Sequence, residues 1–135
     1  MGQQMNEYID IALVEARKAG LRGEVPIGAV IVRNGKVIAR GRNMRERKQN
    51  ALYHAEIIAI NKACKKLGSW RLDDCEMYVT LEPCAMCMGA LVNARVKAVY
   101  AGAPSTTDLN WKTPLVYIEN KECAKLLKDF FASKR

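Results

Sequence analysis

Four residues that could form a catalytic metal site stand in two short stretches of the sequence. His54 is the only histidine, and Glu56 follows it two positions later at the head of an apolar run with helical spacing. Cys84 and Cys87 stand three positions apart, which puts both thiols on one face of a helix. One imidazole and two thiolates suit tetrahedral zinc, and three protein ligands leave the fourth position open, as in catalytic zinc sites.

Taken separately, these residues have plainer interpretations. A histidine at a helix start is usually a hydrogen-bonded structural residue, and a C-x-x-C pair fits a zinc site, a redox pair or two core cysteines. The redox interpretation leaves His54 and Glu56 unexplained. A closed site would need a fourth ligand from the three remaining cysteines, which have no paired spacing: Cys64, Cys75 and Cys123. The combination predicts one Zn²⁺ per chain.

The positions of these residues in the predicted elements fit that chemistry. His54 and Cys84 each fall at the N-terminus of a predicted helix, where the partial positive charge favours thiolate over thiol. Zinc lowers the pKa of a bound water to about 7. A carboxylate beside such a water can take its proton and pass it on, so Glu56 is the predicted catalytic proton shuttle.

The surrounding pattern alternates strands with helices. Asn34-Gly35 predicts a hairpin turn, because both residues tolerate positive φ. Helices are predicted over 5–19, 54–67, 84–94 and 120–133, and strands over 27–32, 36–41, 76–81, 97–102 and 115–118. Between the second strand and the second helix we expect a polar loop. This order predicts one α/β layered domain over 1–135, with a mostly parallel sheet after its first hairpin.

The composition of the chain indicates where it is located and what kind of partner it binds. No apolar run approaches the length of a membrane span, and the acids in the first 20 residues argue against a secretory signal, so we expect a cytoplasmic chain. The net charge of +8 suits a polyanionic partner. Much of it lies in one basic stretch, 33–48, whose cationic members are Arg33, Lys36, Arg40, Arg42, Arg45, Arg47 and Lys48.

The motifs resemble those of a known superfamily. "HAE" at 54–56 with "PCAMC" at 83–87 is similar to the zinc-dependent cytidine deaminase signature H-x-E…P-C-x-x-C. Further stretches resemble the bacterial tRNA adenosine deaminases within it: "GEVPIGAVIV", "GRN", "HAEIIAI", "SWRL", "YVTLEPCAMCMGAL" and "LLKDFF". The resemblance implies a three-layer α/β/α fold with a central mixed sheet of about five strands, and a homodimer.

The same resemblance implies roles for individual residues. His54, Cys84 and Cys87 would be the zinc ligands and Glu56 the proton shuttle. The implied substrate-binding residues are Asn43, at the base or its sugar, then Val25, Pro26, Gly28 and Ala55 around the pocket, and Phe130 and Phe131 at its mouth.

One stretch departs from the family pattern. Where the tRNA enzymes carry an aspartate followed by a lysine and a glycine-rich segment, this chain has "GAPSTTDLNWKTPLVY", with Ser105 in the aspartate position and a shorter connection to the last helix. Asp108 and Lys112 stand out of register. Trp111 fits either a base-stacking residue or a hydrophobic plug.

Three functions remain open from the sequence. The first is deamination of adenosine to inosine in a tRNA anticodon loop, which the motifs and the charge favour. The second is a deaminase of a free nucleobase or nucleoside, such as guanine, cytosine or cytidine, which the altered 103–118 segment fits better. The third is a zinc-binding partner protein without turnover, against which Glu56 argues.

Overall fold

A computed structural model describes residues 2–105 and 113–134 of the chain. The helices are α1 (Gly2–Leu21), α2 (Arg45–Lys48), α3 (Ala55–Leu67), α4 (Ala85–Asn93) and α5 (Lys121–Ser133). The strands are β1 (Gly28–Arg33), β2 (Lys36–Arg42), β3 (Cys75–Val79), β4 (Ala98–Ala101) and β5 (Leu115–Tyr117).

The strands form one mixed sheet in the order β2-β1-β3-β4-β5. β1 pairs antiparallel with both β2 and β3, while β3, β4 and β5 run parallel. The β1–β2 hairpin turns at Asn34 and Gly35, whose φ angles of 52° and 76° match the positive φ expected of an Asn-Gly turn. The carboxyl end of β3 leads directly into the loop that precedes α4.

Helices cover both faces of the sheet. As a result, both sets of alternating side chains on β1 are buried. Ala29 and Ile31 pack in the core that includes α3 and α4 residues such as Ala59 and Met88. Val30 and Val32 pack on the opposite face with residues of α1 and with Cys123 of α5. The result is a three-layer α/β/α arrangement, as predicted.

Two glycines allow the helices to approach the sheet closely. A Cβ at Gly28 would lie 2.0 Å from the carbonyl oxygen of Ala12 in α1. On the other face, a Cβ at Gly41 would lie 2.2 Å from the carbonyl oxygen of Ala55, the first residue of α3. Gly41 therefore fixes how near the start of α3 comes to β2.

The predicted elements appear within a few residues of their expected limits, with one exception. The predicted loop between β2 and α3 contains the short helix α2, which no apolar period could signal because it has no buried residue. Trp111, Asp108 and Lys112 lie outside the described residues. Within the described part, no helix is both long enough and apolar enough to span a membrane.

Candidate active site

The three predicted zinc ligands come together where α3 and α4 begin. The Nδ1 atom of His54 lies 3.7 Å from Sγ of Cys84 and 3.5 Å from Sγ of Cys87. All three ligand atoms lie within 4.8 Å of one another. Residues 30 or more positions apart in sequence thus converge because β3 delivers α4 beside α3.

The spacing of these atoms fits a tetrahedral zinc ion. With Zn–N near 2.0 Å and Zn–S near 2.3 Å, tetrahedral geometry puts the nitrogen and each sulfur about 3.5 Å apart. The two observed nitrogen–sulfur distances, 3.5 and 3.7 Å, are close to that separation. One nitrogen and two sulfur ligands also form a donor set that zinc prefers. Within the described ranges, no other group of three or more histidine, cysteine and acidic side chains has its ligand atoms this close together.

The helix starts leave the ligand side chains available. His54 is the N-cap residue of α3 and Cys84 that of α4, and neither side chain makes a capping hydrogen bond. Pro83 directly precedes the N-cap residue of α4. Two helix N-termini therefore point at one site, where their partial positive charge favours thiolates and other anions.

Glu56 occupies the first turn of α3 and is almost fully buried, with 4% of its surface exposed. Burial raises the pKa of its carboxyl to about 7, because desolvation penalises the charged form, and hydrogen bonds from its own backbone and Cys87 oppose this. Burial also lowers the pKa of His54, with a smaller contribution from the positive charge of Arg45. The neutral imidazole is the form that binds metal.

A cavity of about 150 Å³ opens beside these residues. Its lining consists of Val25, Ile27, Asn43, Arg45, His54, Ala55 and Glu56. Ordinary small-molecule pockets measure about 300 Å³ or more. The cavity therefore has room for one ring system, and the rest of a nucleotide would lie outside it.

A nearby backbone N–H group orients the side chain of Asn43. The side chain is buried, and its Oδ1 accepts a hydrogen bond from the backbone N–H of Arg45 at 3.1 Å. That contact fixes which end of the amide is the acceptor end. The amide NH₂ group is thereby left as a donor to whatever enters the cavity.

The predicted substrate-binding residues are divided between two cavities. Val25, Asn43 and Ala55 line the cavity beside Glu56, whereas Pro26 and Phe130 line a separate groove of about 380 Å³ between the ends of α1 and α5. Phe131 is 52% exposed.

Gly28 is also absent from the cavity lining. It packs against α1, and its N–H donates to the Thr80 hydroxyl at 3.2 Å.

Two cavity residues and one anchoring residue had no predicted role from the sequence. Ile27 and Arg45 line the cavity, and Arg45 had been noted only as part of the basic stretch 33–48. Glu24, which is 3% exposed, holds the backbone of α2. Position next to the "VPIG" and "GRN" motifs was the available signal for all three.

Glu82 ties the segment that departs from the family pattern to the loop that carries Cys84. This carboxylate is buried two positions before Cys84. It accepts a hydrogen bond from the backbone N–H of Ser105 at 3.0 Å and another from the Tyr117 hydroxyl. Ser105 therefore contributes its backbone, and no carboxylate, where the family places an aspartate.

Known proteins share this architecture. The tRNA-specific adenosine deaminase of Bacillus subtilis (strain 168) is 55% identical over 96 residues, which cover 71% of this chain and 60% of that protein. The chain thus spans less than two thirds of that relative's length.

Solved structures show the fold directly. One from a study of A-to-I editing by tRNA:A34 deaminases at the wobble position of transfer RNA superposes with a TM-score of 0.82 and 38% identity, covering 90% of this chain and 99% of that one. The structure of guanine deaminase from Bacillus subtilis superposes with a TM-score of 0.70 and 32% identity, covering 96% of this chain and 92% of that one. These likenesses confirm the predicted cytidine-deaminase-like fold.

The profile that describes MafB19-like deaminases matches residues 3–135. Because the match spans far more than half of the chain, this protein belongs to the MafB19-like deaminase family.

Proposed function

We propose that this protein is a zinc-dependent hydrolytic deaminase that converts adenosine to inosine in a tRNA anticodon loop. The observation that carries the chemistry is the buried carboxyl of Glu56, which lines the same cavity as His54 of the His54, Cys84 and Cys87 cluster. The substrate assignment is supported by the likeness to the tRNA-specific adenosine deaminase of Bacillus subtilis and by the net charge of +8.

The residues of the cavity divide the work of hydrolysis. Zn²⁺ held by His54, Cys84 and Cys87 would supply an activated water, because the metal lowers the pKa of that water to about 7. Glu56 takes a proton from the water and delivers it to the ring nitrogen beside the amino-bearing carbon. The oxygen of the water bonds to that carbon, and its remaining proton passes to the amino group. The carbon–nitrogen bond then breaks, and ammonia leaves while the carbon keeps the oxygen as a carbonyl.

The same cavity orients the base. Asn43 presents its NH₂ group, which suits an acceptor nitrogen on the base or an oxygen of the sugar. Val25 and Ile27 supply apolar wall for a flat ring. A base in a loop has to leave its stack to reach a cavity this narrow, as other deaminases of nucleic acids require.

The setting of the enzyme follows from the same proposal. We infer that residues 1–135 form a single domain, that the enzyme acts in the cytoplasm where tRNA is modified, and that it works as a homodimer. Support comes from the single sheet, the absence of a membrane-spanning helix among the described residues, and the family resemblance.

An ammonia-release panel tests the proposal. Zinc-loaded protein is incubated with an anticodon stem-loop carrying adenosine at the wobble position, the same stem-loop with guanosine there, and free adenosine, guanine, cytosine and cytidine. We expect ammonia, and inosine after nuclease digestion, from the adenosine stem-loop alone. Release from a free base with none from RNA would overturn the assignment.

A free-base deaminase is the second candidate. The likeness to guanine deaminase from Bacillus subtilis favours it, as does a cavity with room for one ring system and no more. Ionic strength separates the two, because affinity for RNA falls steeply with salt whereas turnover of an uncharged base does not. Equal KM values at 50 and 200 mM salt on the active substrate would favour this candidate.

A further inference from the structure

Arg45 stands apart from the other basic residues near the site. It lines the cavity beside Asn43 and His54, and its side chain is exposed. Over residues 2–105 and 113–134, no carboxylate lies within ion-pair distance of Arg45. Its positive charge is therefore available to a ligand.

Two other arginines of the basic stretch 33–48 form ion pairs with carboxylates. Arg33 pairs with Asp74 at 2.7 Å and Arg42 pairs with Glu15 at 3.1 Å. The stretch is thus not one continuous cationic ridge: Arg33 lies at the end of β1 away from the cavity. Arg45 lies at the cavity itself.

The backbone of Arg45 is anchored from both sides. Its N–H donates to Oδ1 of Asn43 at 3.1 Å. The buried carboxylate of Glu24 accepts the next two N–H groups of α2, from Glu46 at 3.1 Å and from Arg47 at 2.7 Å. A four-residue helix without buried side chains would not hold its place unaided, so Glu24 fixes α2 against the cavity.

The size of the cavity indicates which part of a ligand Arg45 can contact. The cavity accepts one ring system, so the sugar and phosphates of a nucleotide lie outside it, near the residues at its edge. A guanidinium recognises phosphate through paired N–H donors, and a free base brings no such anion. The N–H groups of Glu46 and Arg47 are occupied by Glu24, which leaves the guanidinium as the donor.

We propose that Arg45 binds a backbone phosphate of the strand that carries the target base, and so selects a polynucleotide over a free base, while Glu24 is the positioning residue that holds Arg45 at the cavity. This inference rests on the proposed function. It names the phosphodiester as the group recognised beyond the base.

The test compares Arg45→Ala with Arg47→Ala on the adenosine stem-loop. Arg47 is a matched control, since it carries the same charge, is also exposed and lies in the same short helix, but does not line the cavity. We expect Arg45→Ala to raise KM about 10-fold or more with kcat within about threefold, as loss of one phosphate contact predicts. Its KM should also depend less steeply on salt, by about 0.7 to 0.9 in log–log slope. Arg47→Ala should change KM less than threefold, and both variants should keep their zinc.

The outcomes separate this inference from the function on which it rests. If wild-type protein releases no ammonia from RNA, both fall together. If wild-type protein is active on RNA but Arg45→Ala and Arg47→Ala lose affinity equally, only the role of Arg45 falls. In the expected case Arg45→Lys recovers the salt slope but not the full affinity, because an ammonium lacks the paired donors.

A double-mutant cycle tests Glu24. Glu24→Gln keeps the shape but loses one carboxylate acceptor, so it should raise KM for the stem-loop. If Glu24 acts through Arg45, the double variant with Arg45→Ala should bind RNA no worse than Arg45→Ala alone. Additive losses, in proteins whose thermal melts match the single variants, would show that Glu24 does not act through Arg45.

Discussion

Glu56 and Glu24 are two buried carboxyls beside one cavity, and their surroundings suit different tasks. Glu24 accepts two backbone N–H groups and is committed to holding α2. Glu56 faces the metal-ligand cluster, and burial raises the pKa of its carboxyl to about 7, where a group both accepts and donates protons near neutral pH. The same residue type holds the backbone in one position and is suited to the proposed proton transfer in the other.

Replacing Glu56 isolates its proton-transfer role. Glu56→Gln keeps the shape and removes the exchangeable carboxyl proton, so ammonia release should fall about 10²- to 10⁴-fold, the usual size of a general acid–base contribution. Zinc content, measured by metal analysis, should be unchanged, because Glu56 is not a proposed ligand. Glu7→Gln, at an exposed position of α1, is the control and should leave activity unchanged. Normal ammonia release from Glu56→Gln would remove the proposed mechanism.

At the scale of elements, the site depends on how closely α3 approaches the sheet. α3 begins directly after the proposed ligand His54 and carries Glu56 in its first turn, while Gly41 of β2 lies against the backbone at its start. The position of one strand residue thus sets the position of two functional side chains.

Gly41→Ala should disturb stability and activity together. The added Cβ would lie 2.2 Å from the carbonyl oxygen of Ala55 and 2.8 Å from the nitrogen of Ala59, so α3 must move. Overpacking of this kind costs about 1–3 kcal/mol of unfolding free energy, measurable by urea denaturation. We also expect a loss of kcat, because the first turn of α3 shifts.

Gly89→Ala is the matched control for that experiment. A Cβ at Gly89, inside α4, meets nothing within 4 Å among the described residues, and alanine favours helix. Its unfolding free energy should stay the same or rise by up to about 1 kcal/mol. Equal stability of the two variants would contradict the close-approach argument.

At the scale of the whole molecule, one metal ion would join elements that the chain supplies separately. His54 precedes α3, whereas Cys84 and Cys87 belong to the start of α4. A ligand that binds only the folded arrangement stabilises it, by about 2.7 kcal/mol when its concentration is 100 times the Kd.

Zinc removal should therefore lower both activity and Tm. Protein stripped with a chelator should release no ammonia and melt at a lower temperature, and added Zn²⁺ but not Mg²⁺ should restore both, since thiolates are poor ligands for magnesium. Cys84→Ser should abolish the Zn²⁺-dependent rise in Tm. Cys64→Ser, outside the cluster, should keep it. Full activity in protein shown by metal analysis to hold no zinc would contradict the site.

The helices, the strands and the grouping of His54 with Cys84 and Cys87 could be predicted from the sequence. Apolar periods marked α1 and α3, and the Asn-Gly pair marked the hairpin, because these signals depend on local geometry. The single histidine and the C-x-x-C pair predicted a three-ligand cluster, and the structure brings the three side chains together.

Which neighbouring residues face the cavity depends on packing between distant parts of the chain. Pro26, Gly28 and Phe130 have suggestive positions in sequence, yet packing against α1 or across the groove turns them away from the cavity lining. Arg45 enters the site because a buried carboxylate from a distant loop holds its helix there. Such placement depends on contacts between residues far apart in the chain, and no local pattern records them.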